Sequence, residues 1–151
     1  MTEVRAGAAG VIWLGEDDDQ MAVIHSKRAA VALRGRALER WKEDGQQKWI
    51  EERVVTVVIG SLRLVSVYQP IWGTDDIGIE ECRKAMEDQL AMGGGKTVII
   101  GGDLNASVGK GRGRQGVYGK EGIGRMNDAG RDLMDWCEKR TTVREQLRTP
   151  R

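Results

Sequence analysis

Net charge is nearly absent from this chain of 151 residues: 24 Lys and Arg stand against 23 Asp and Glu, a formal +1. Such a balance gives no global attraction to nucleic acid or to an anionic membrane, so any polyanion site must be local. Cysteine is scarce as well. Cys82 and Cys137 lie far apart, each in a stretch that reads as helix, with no C-x-x-C spacing. With no secretory apolar segment upstream, the expectation is a reduced, intracellular protein, with the nucleus as a candidate compartment. Long hydrophobic runs are missing too, and none approaches the roughly eighteen residues of a membrane-spanning helix, so a soluble chain with no membrane partner is expected. Internal repeats and an obvious interdomain linker are also lacking, and His25 is the single histidine. At this length, with 40% hydrophobic residues, one domain around one core is the default.

Charge is present locally. "GEDDDQ" (15–20) is an acidic run best read as a solvated loop, whereas "GKGRGRQG" (109–116) holds cations and no acid. "GVIWL" (10–14) and "QMAVIHS" (20–26) flank the acidic turn and read as a hairpin. From Ser26 to Gly45, Ala30, Leu33, Ala37 and Trp41 follow helical spacing, with Ser26 as N-cap and Gly35 as an internal weakness. "RVVTVVIG" (53–60) and "LRLVSVYQP" (62–70) form a second hairpin about Gly60-Ser61. Residues 76–92 give the clearest helix, with Ile79, Cys82, Met86 and Leu90 on one face and Asp75 or Asp76 at its start. "KTVIIGGDLN" (96–105) reads as a buried strand. A Gly-rich loop (106–126) follows, then a helix over 128–140 with Asn127 as N-cap and Leu133, Met134 and Cys137 inward. The fold class is α/β.

Three motifs compete for the chemistry. "GGGKT" (93–97) imitates a phosphate-cradling loop, but such a loop must follow a strand and open a helix, so that free N–H groups aim at the phosphates. Here a helix precedes and a strand follows, so the glycines read as helix C-cap and turn. "GRGRQG" (111–116) fits G-x-G-x-x-G with no helix after it, and reads as a flexible cationic loop, which also suits contact with a phosphate backbone. The third is Asp103-Leu104-Asn105. On an extended chain the two polar side chains share a face, and Gly101 and Gly102 leave room for a ligand. A carboxylate to activate water beside an amide to steady a phosphoryl oxygen suits attack on a phosphodiester, although an isolated D-x-N more often caps a turn.

"VIIGGDLNASVG" resembles the G-D-x-N segment of the endonuclease/exonuclease/phosphatase (DNase I-like) superfamily, and "LRLVSVYQP" resembles its strand ending in N/S-x-Y-x-P. "GVYGKEGIGRMNDAGRDLMDWCEKR" (116–140) and "MAVIHSKRAAVAL" (21–33) are similar to segments of the endonuclease domains of non-LTR retrotransposons. The resemblance spans about residues 20–140 in the right order. It implies part of a four-layer α/β/β/α sandwich and a divalent metal, usually Mg²⁺, with DNA as partner. It also implies roles: Asp103 would align or deprotonate the attacking water, Asn105 would support it and the phosphoryl oxygen, and Tyr68 would place its hydroxyl by the phosphate.

The sequence departs from that pattern at both ends. No Asn-bearing first strand, metal-binding Glu, terminal Asp or S-D-H is found, and "TTVREQLRTPR" (141–151) is unlike the family. The metal ligands are therefore unknown, and His25, placed in a strand, reads as a packing or edge residue. The chain looks like a single incomplete domain lacking the first and last strands, and oligomeric state is not legible. The expectation is a metal-dependent phosphodiester hydrolase of retrotransposon type, weak or inactive in this form. Alternatives are a non-catalytic remnant binding nucleic acid through Lys110, Arg112, Arg114 and Arg125, and a phosphomonoesterase of the same superfamily.

Overall fold

A computed structural model of the protein describes residues 9–109, 117 and 124–146. Among these the chain is mixed α/β, with two sheets and three α-helices. They fall into two compact units. One holds the residues up to Pro70 together with Asp75–Leu104; the other holds Ile71–Thr74 and the residues from Asn105 onward.

The first unit begins as expected. β1 (Gly10–Leu14) and β2 (Met21–His25) pair antiparallel across the acidic run, in register from Gly10 opposite His25 to Leu14 opposite Met21. The acidic run itself forms one 3-10 turn, Asp17–Asp19. The helix expected from Ser26 to Gly45 is corrected by the structure. Its first part is a strand, β3 (Ala30–Arg34), paired antiparallel on β2, and only Gly35–Glu43 is helical, as α1. Two local devices explain this. Ser26 caps a tight turn: its Oγ accepts from the N–H groups of Arg28 (3.1 Å) and Ala29 (3.0 Å), and its own N–H donates to the Ala29 carbonyl at 2.9 Å. Gly35, at φ +56°, then breaks the extended run before the helix. The free edge of β2 offers ladder bonds to five residues, and this pairing overrides a periodicity of four apolar positions.

A short strand not anticipated, β4 (Lys48–Ile50), precedes the expected hairpin of β5 (Val54–Ile59) and β6 (Leu62–Tyr68). α2 (Asp76–Ala91) then leads to β7 (Thr97–Asp103), which lies parallel to β6, giving the sheet order β4-β5-β6-β7. Asp75 N-caps α2, its Oδ1 accepting from the Gly78 N–H at 2.9 Å. The glycines after α2 form the cap and turn expected of them, with Gly94 at φ +56° and Gly95 at φ +80°.

Strand alternation divides the β5–β6 hairpin between two cores. Val55 and Val57 face the first sheet and pack with Ala22, Ile24, Leu33, Leu38 and Trp41, all buried. Val54, Val58, Val65 and Val67 face the other way, on the side of α2, whose Ile79, Cys82, Ala85 and Met86 are buried. Burying each such side chain contributes roughly 1.5–3 kcal/mol. Arg63 lies on this second face. Its Nη1 donates to Gln89 Oε1 (2.7 Å), its Nη2 donates to the Met92 carbonyl at the end of α2 (3.1 Å), and its Cζ sits 4.5 Å from the Trp49 ring centroid. Burial lowers its pKa.

β7 differs from the buried strand expected. It is an edge strand with one face open, and Ile99 is 51% exposed. Its closeness to β6 depends on Gly102, at φ +132°, where an added Cβ would stand 2.1 Å from the Val67 carbonyl oxygen.

The second unit contains α3 (Asp128–Gln146). Asn127 N-caps it as expected, its Oδ1 accepting from the Gly130 N–H at 2.8 Å and also from the Ser107 N–H at 3.1 Å. The Asn127 N–H in turn donates to the Ser107 carbonyl at 3.0 Å. A Cβ on Gly130 would fall 1.9 Å from that same carbonyl oxygen, so the glycine lets the loop lie against the first turn of the helix.

Candidate functional site

Parallel pairing brings the C-terminal ends of β6 and β7 together, and the register sets Tyr68 opposite Asp103. A phenol and a carboxylate are therefore carried by paired residues at the point where both strands end. Tyr68 is half-buried and Asp103 is exposed. Beyond the strands, the Gln69 N–H donates to the Asp103 carbonyl at 2.8 Å, and Gln69 Nε2, on a fully buried side chain, donates to the Leu104 carbonyl at 3.1 Å. These bonds fix the backbone on both sides of the pair. The same face continues down the two strands as a shallow open groove of about 190 Å³, lined by Val31, Leu64, Val65, Ser66, Ile99 and Gly101.

Two arginines that sequence reasoning passed over adjoin Tyr68. Arg53 immediately precedes β5, and its carbonyl accepts from the Tyr68 N–H at 2.9 Å. Arg28 sits in the turn between β2 and β3, from the other sheet. The two guanidinium carbons lie 6.0 and 5.9 Å from the Tyr68 ring centroid, at the outer range of a cation–π contact. Arg53 Nη2 pairs with Asp75 Oδ2 at 3.2 Å, and Arg28 Nε pairs with Glu52 Oε1 at 3.3 Å. The signal for Arg53 was in the sequence. In a hairpin turning at Gly60-Ser61, each step outward on one strand matches a step on the other, which sets Arg53 across from Tyr68. Arg28 carried no such signal, because the packing of the two sheets brings it there.

The remaining expectations divide. Asn105 was expected to share a face with Asp103 on an extended strand. The strand stops at Asp103, and Asn105 has φ +46°, a left-handed backbone that ends the alternation, so that route does not join the two residues; Asn105 belongs to the second unit. Arg125 is exposed, and its carbonyl accepts from Ser107 Oγ at 2.8 Å. Lys110, Arg112 and Arg114 lie outside the described residues. His25, at the end of β2, is half-buried with Nδ1 3.1 Å from the Ser26 carbonyl oxygen.

The divalent cation implied by the resemblance was tested against the donors present. Mg²⁺ wants near-octahedral oxygen ligation, usually from one or two carboxylates with water and substrate. Among the described residues there is no group of three His, Cys, Asp or Glu side chains placed to hold a metal, and Asp103 stands beside a phenol rather than a second carboxylate. Among the same residues, no helix is long and apolar enough to cross a membrane.

Searches for likeness to known proteins returned nothing: no protein-family model, no curated protein and no solved structure matches this chain. The class defined by the coordinates is thus a mixed α/β protein with two sheets, carrying a tyrosine–aspartate pair at the end of its parallel strands.

Proposed function

We propose that the chain belongs to a phosphodiester-directed domain of the endonuclease/exonuclease/phosphatase type, and that it engages DNA with little or no hydrolysis of its own. The observation that carries this reading is the Tyr68–Asp103 pair at the C-terminal ends of two parallel strands, the position where α/β sheets commonly bind ligands. The layering of α2 on one sheet and that sheet on another supports the sandwich architecture.

In this reading Asp103 accepts the proton of an attacking water and the Tyr68 hydroxyl donates to a phosphoryl oxygen. A positioned general base contributes on the order of 10²–10⁴ in rate. Among the described residues no group of three donors is seen beside this pair, and binding with slow turnover is the outcome this reading favours.

The test is nicking of supercoiled plasmid in Mg²⁺, with EDTA and Asp103→Ala as controls, alongside retention of the same plasmid on the protein. Retention with no nicking, or with slow nicking abolished by both controls, is expected. Nicking that persists in EDTA or in Asp103→Ala, or no retention at all, would refute the reading.

A further inference from the structure

Two guanidinium groups from different sheets converge on one tyrosine ring. Arg53 is largely withdrawn from water, its side chain only 15% exposed, while Arg28 is 45% exposed. Holding a cation that far out of solvent is costly unless anions and hydrogen-bond acceptors surround it. Among the described residues Arg53 has one such partner, Asp75, which is already engaged as the N-cap of α2. Arg28 has one as well, through Nε only, and its partner Glu52 is 61% exposed. Each guanidinium carries five N–H donors in a planar fork that matches the oxygens of a phosphate, whereas among the described residues each has a single bond to a carboxylate.

We infer that Arg28, Arg53 and the Tyr68 hydroxyl form a receptor for one phosphate group of a nucleic-acid backbone, in which Glu52 acts as a displaceable occupant of Arg28. The inference rests on reading the Tyr68–Asp103 end as phosphate-directed, and it moves the principal anion contact from the loop at 109–125 to these two arginines. An exposed ion pair contributes little to stability, so exchanging the Glu52 carboxylate for a phosphate meets little resistance. Arg53, held by Asp75 and by the strand ladder, supplies the fixed half of the receptor and Arg28 the adjustable half. Asp103 is paired with Tyr68 in the β6–β7 register, so the nearest strand-end partner of the receptor is a carboxylate rather than a third cation.

The experiment follows binding of a fluorescein-labelled DNA duplex by anisotropy, in EDTA, over a series of salt concentrations. Arg28→Gln is expected to reduce the slope of log affinity against log salt by about one unit, the signature of one lost phosphate contact. Arg53→Lys keeps the charge but not the fork; it is expected to weaken binding severalfold with the slope unchanged. Glu52→Gln removes the competitor and is expected to tighten binding about threefold beyond Glu39→Gln, which removes an equal charge from the exposed face of α1. A structural role for Arg28 predicts no gain from Glu52→Gln. Inorganic phosphate, added at constant ionic strength, distinguishes a free phosphate from a backbone: weak competition supports the backbone, whereas complete displacement at low concentration overturns it. An unchanged slope in Arg28→Gln, or equal effects of Glu52→Gln and Glu39→Gln, would also overturn the receptor. Hydrolysis plays no part in these readouts, so their failure leaves the plasmid test of Asp103 standing, and an inactive plasmid assay leaves the receptor standing.

Discussion

Replacing Gly102 by alanine tests whether the β6–β7 junction is held together as described. Gly102 sits at φ +132°, and a Cβ there would lie 2.1 Å from the Val67 carbonyl oxygen and 2.8 Å from its amide nitrogen, both backbone atoms. Forcing a side chain into such a conformation costs about 1–3 kcal/mol. Relieving the overlap means parting the strands, at a further 1–3 kcal/mol or so by analogy with overpacked cores. The combined loss is on the order of 2–6 kcal/mol, a large share of the roughly 5–15 kcal/mol that holds a typical domain. With a urea dependence near 2 kcal/mol/M, the unfolding midpoint should fall by about 1–3 M. Gly101 is the internal control. It is the adjacent residue on the same strand, its φ is not positive, and an added Cβ meets nothing within 4 Å. Gly101→Ala should leave stability unchanged or raise it by up to about 1 kcal/mol. Urea unfolding of both variants, followed by circular dichroism and tryptophan fluorescence, decides the matter. Equal shifts for the two alanines would refute the account of why glycine stands at 102.

Trp41→Ala, which empties a fully buried site and removes the 3.0 Å bond from Nε1 to the Gln47 carbonyl, should cost about 3–5 kcal/mol in chemical denaturation. Asp44 accepts from the Gly60 N–H and from Arg40, which together hold its carboxyl below the ordinary value. Because the folded value is the lower one, its contribution is complete above about pH 4 and vanishes as pH falls through the folded value; Asp44→Asn should flatten the acid limb of stability measured from pH 6 to pH 2. Burial pushes the Cys82 thiol up to about 11. Iodoacetamide at pH 8 should therefore leave Cys82 unmodified in the native protein and alkylate it after denaturation, as read by peptide mass mapping.

Much of the fold was legible where local chemistry and tertiary pairing agree. The Gly60-Ser61 turn, the Asp75 and Asn127 caps and the glycines after α2 each impose their structure within a few residues, and each is found where the sequence placed it. Ala30–Arg34 was misread because its apolar spacing satisfies a helix loosely, while the decisive partner, the edge of β2, is supplied by chain folding and not by the segment itself. β7 reads as buried from its composition, yet apolar character cannot say whether a strand is central or at an edge. At the candidate site, Tyr68 and Asp103 were singled out from motifs, and the parallel register that sets them side by side is a long-range fact. Extension through Asn105 is not found, because the strand stops at Asp103 and Asn105 takes a left-handed backbone.

The turn at Gly60-Ser61 carries one more implication. The Gly60 N–H is held by Asp44 Oδ2 at 2.6 Å, its carbonyl by Lys96 Nζ at 2.7 Å, and the Ser61 carbonyl receives the Thr97 N–H at 2.9 Å. Hairpin tips are ordinarily where a protein tolerates new termini or a grafted peptide. This tip is instead a fastening point for the end of α1 and the start of β7, so engineering that opens the chain here would release both at once.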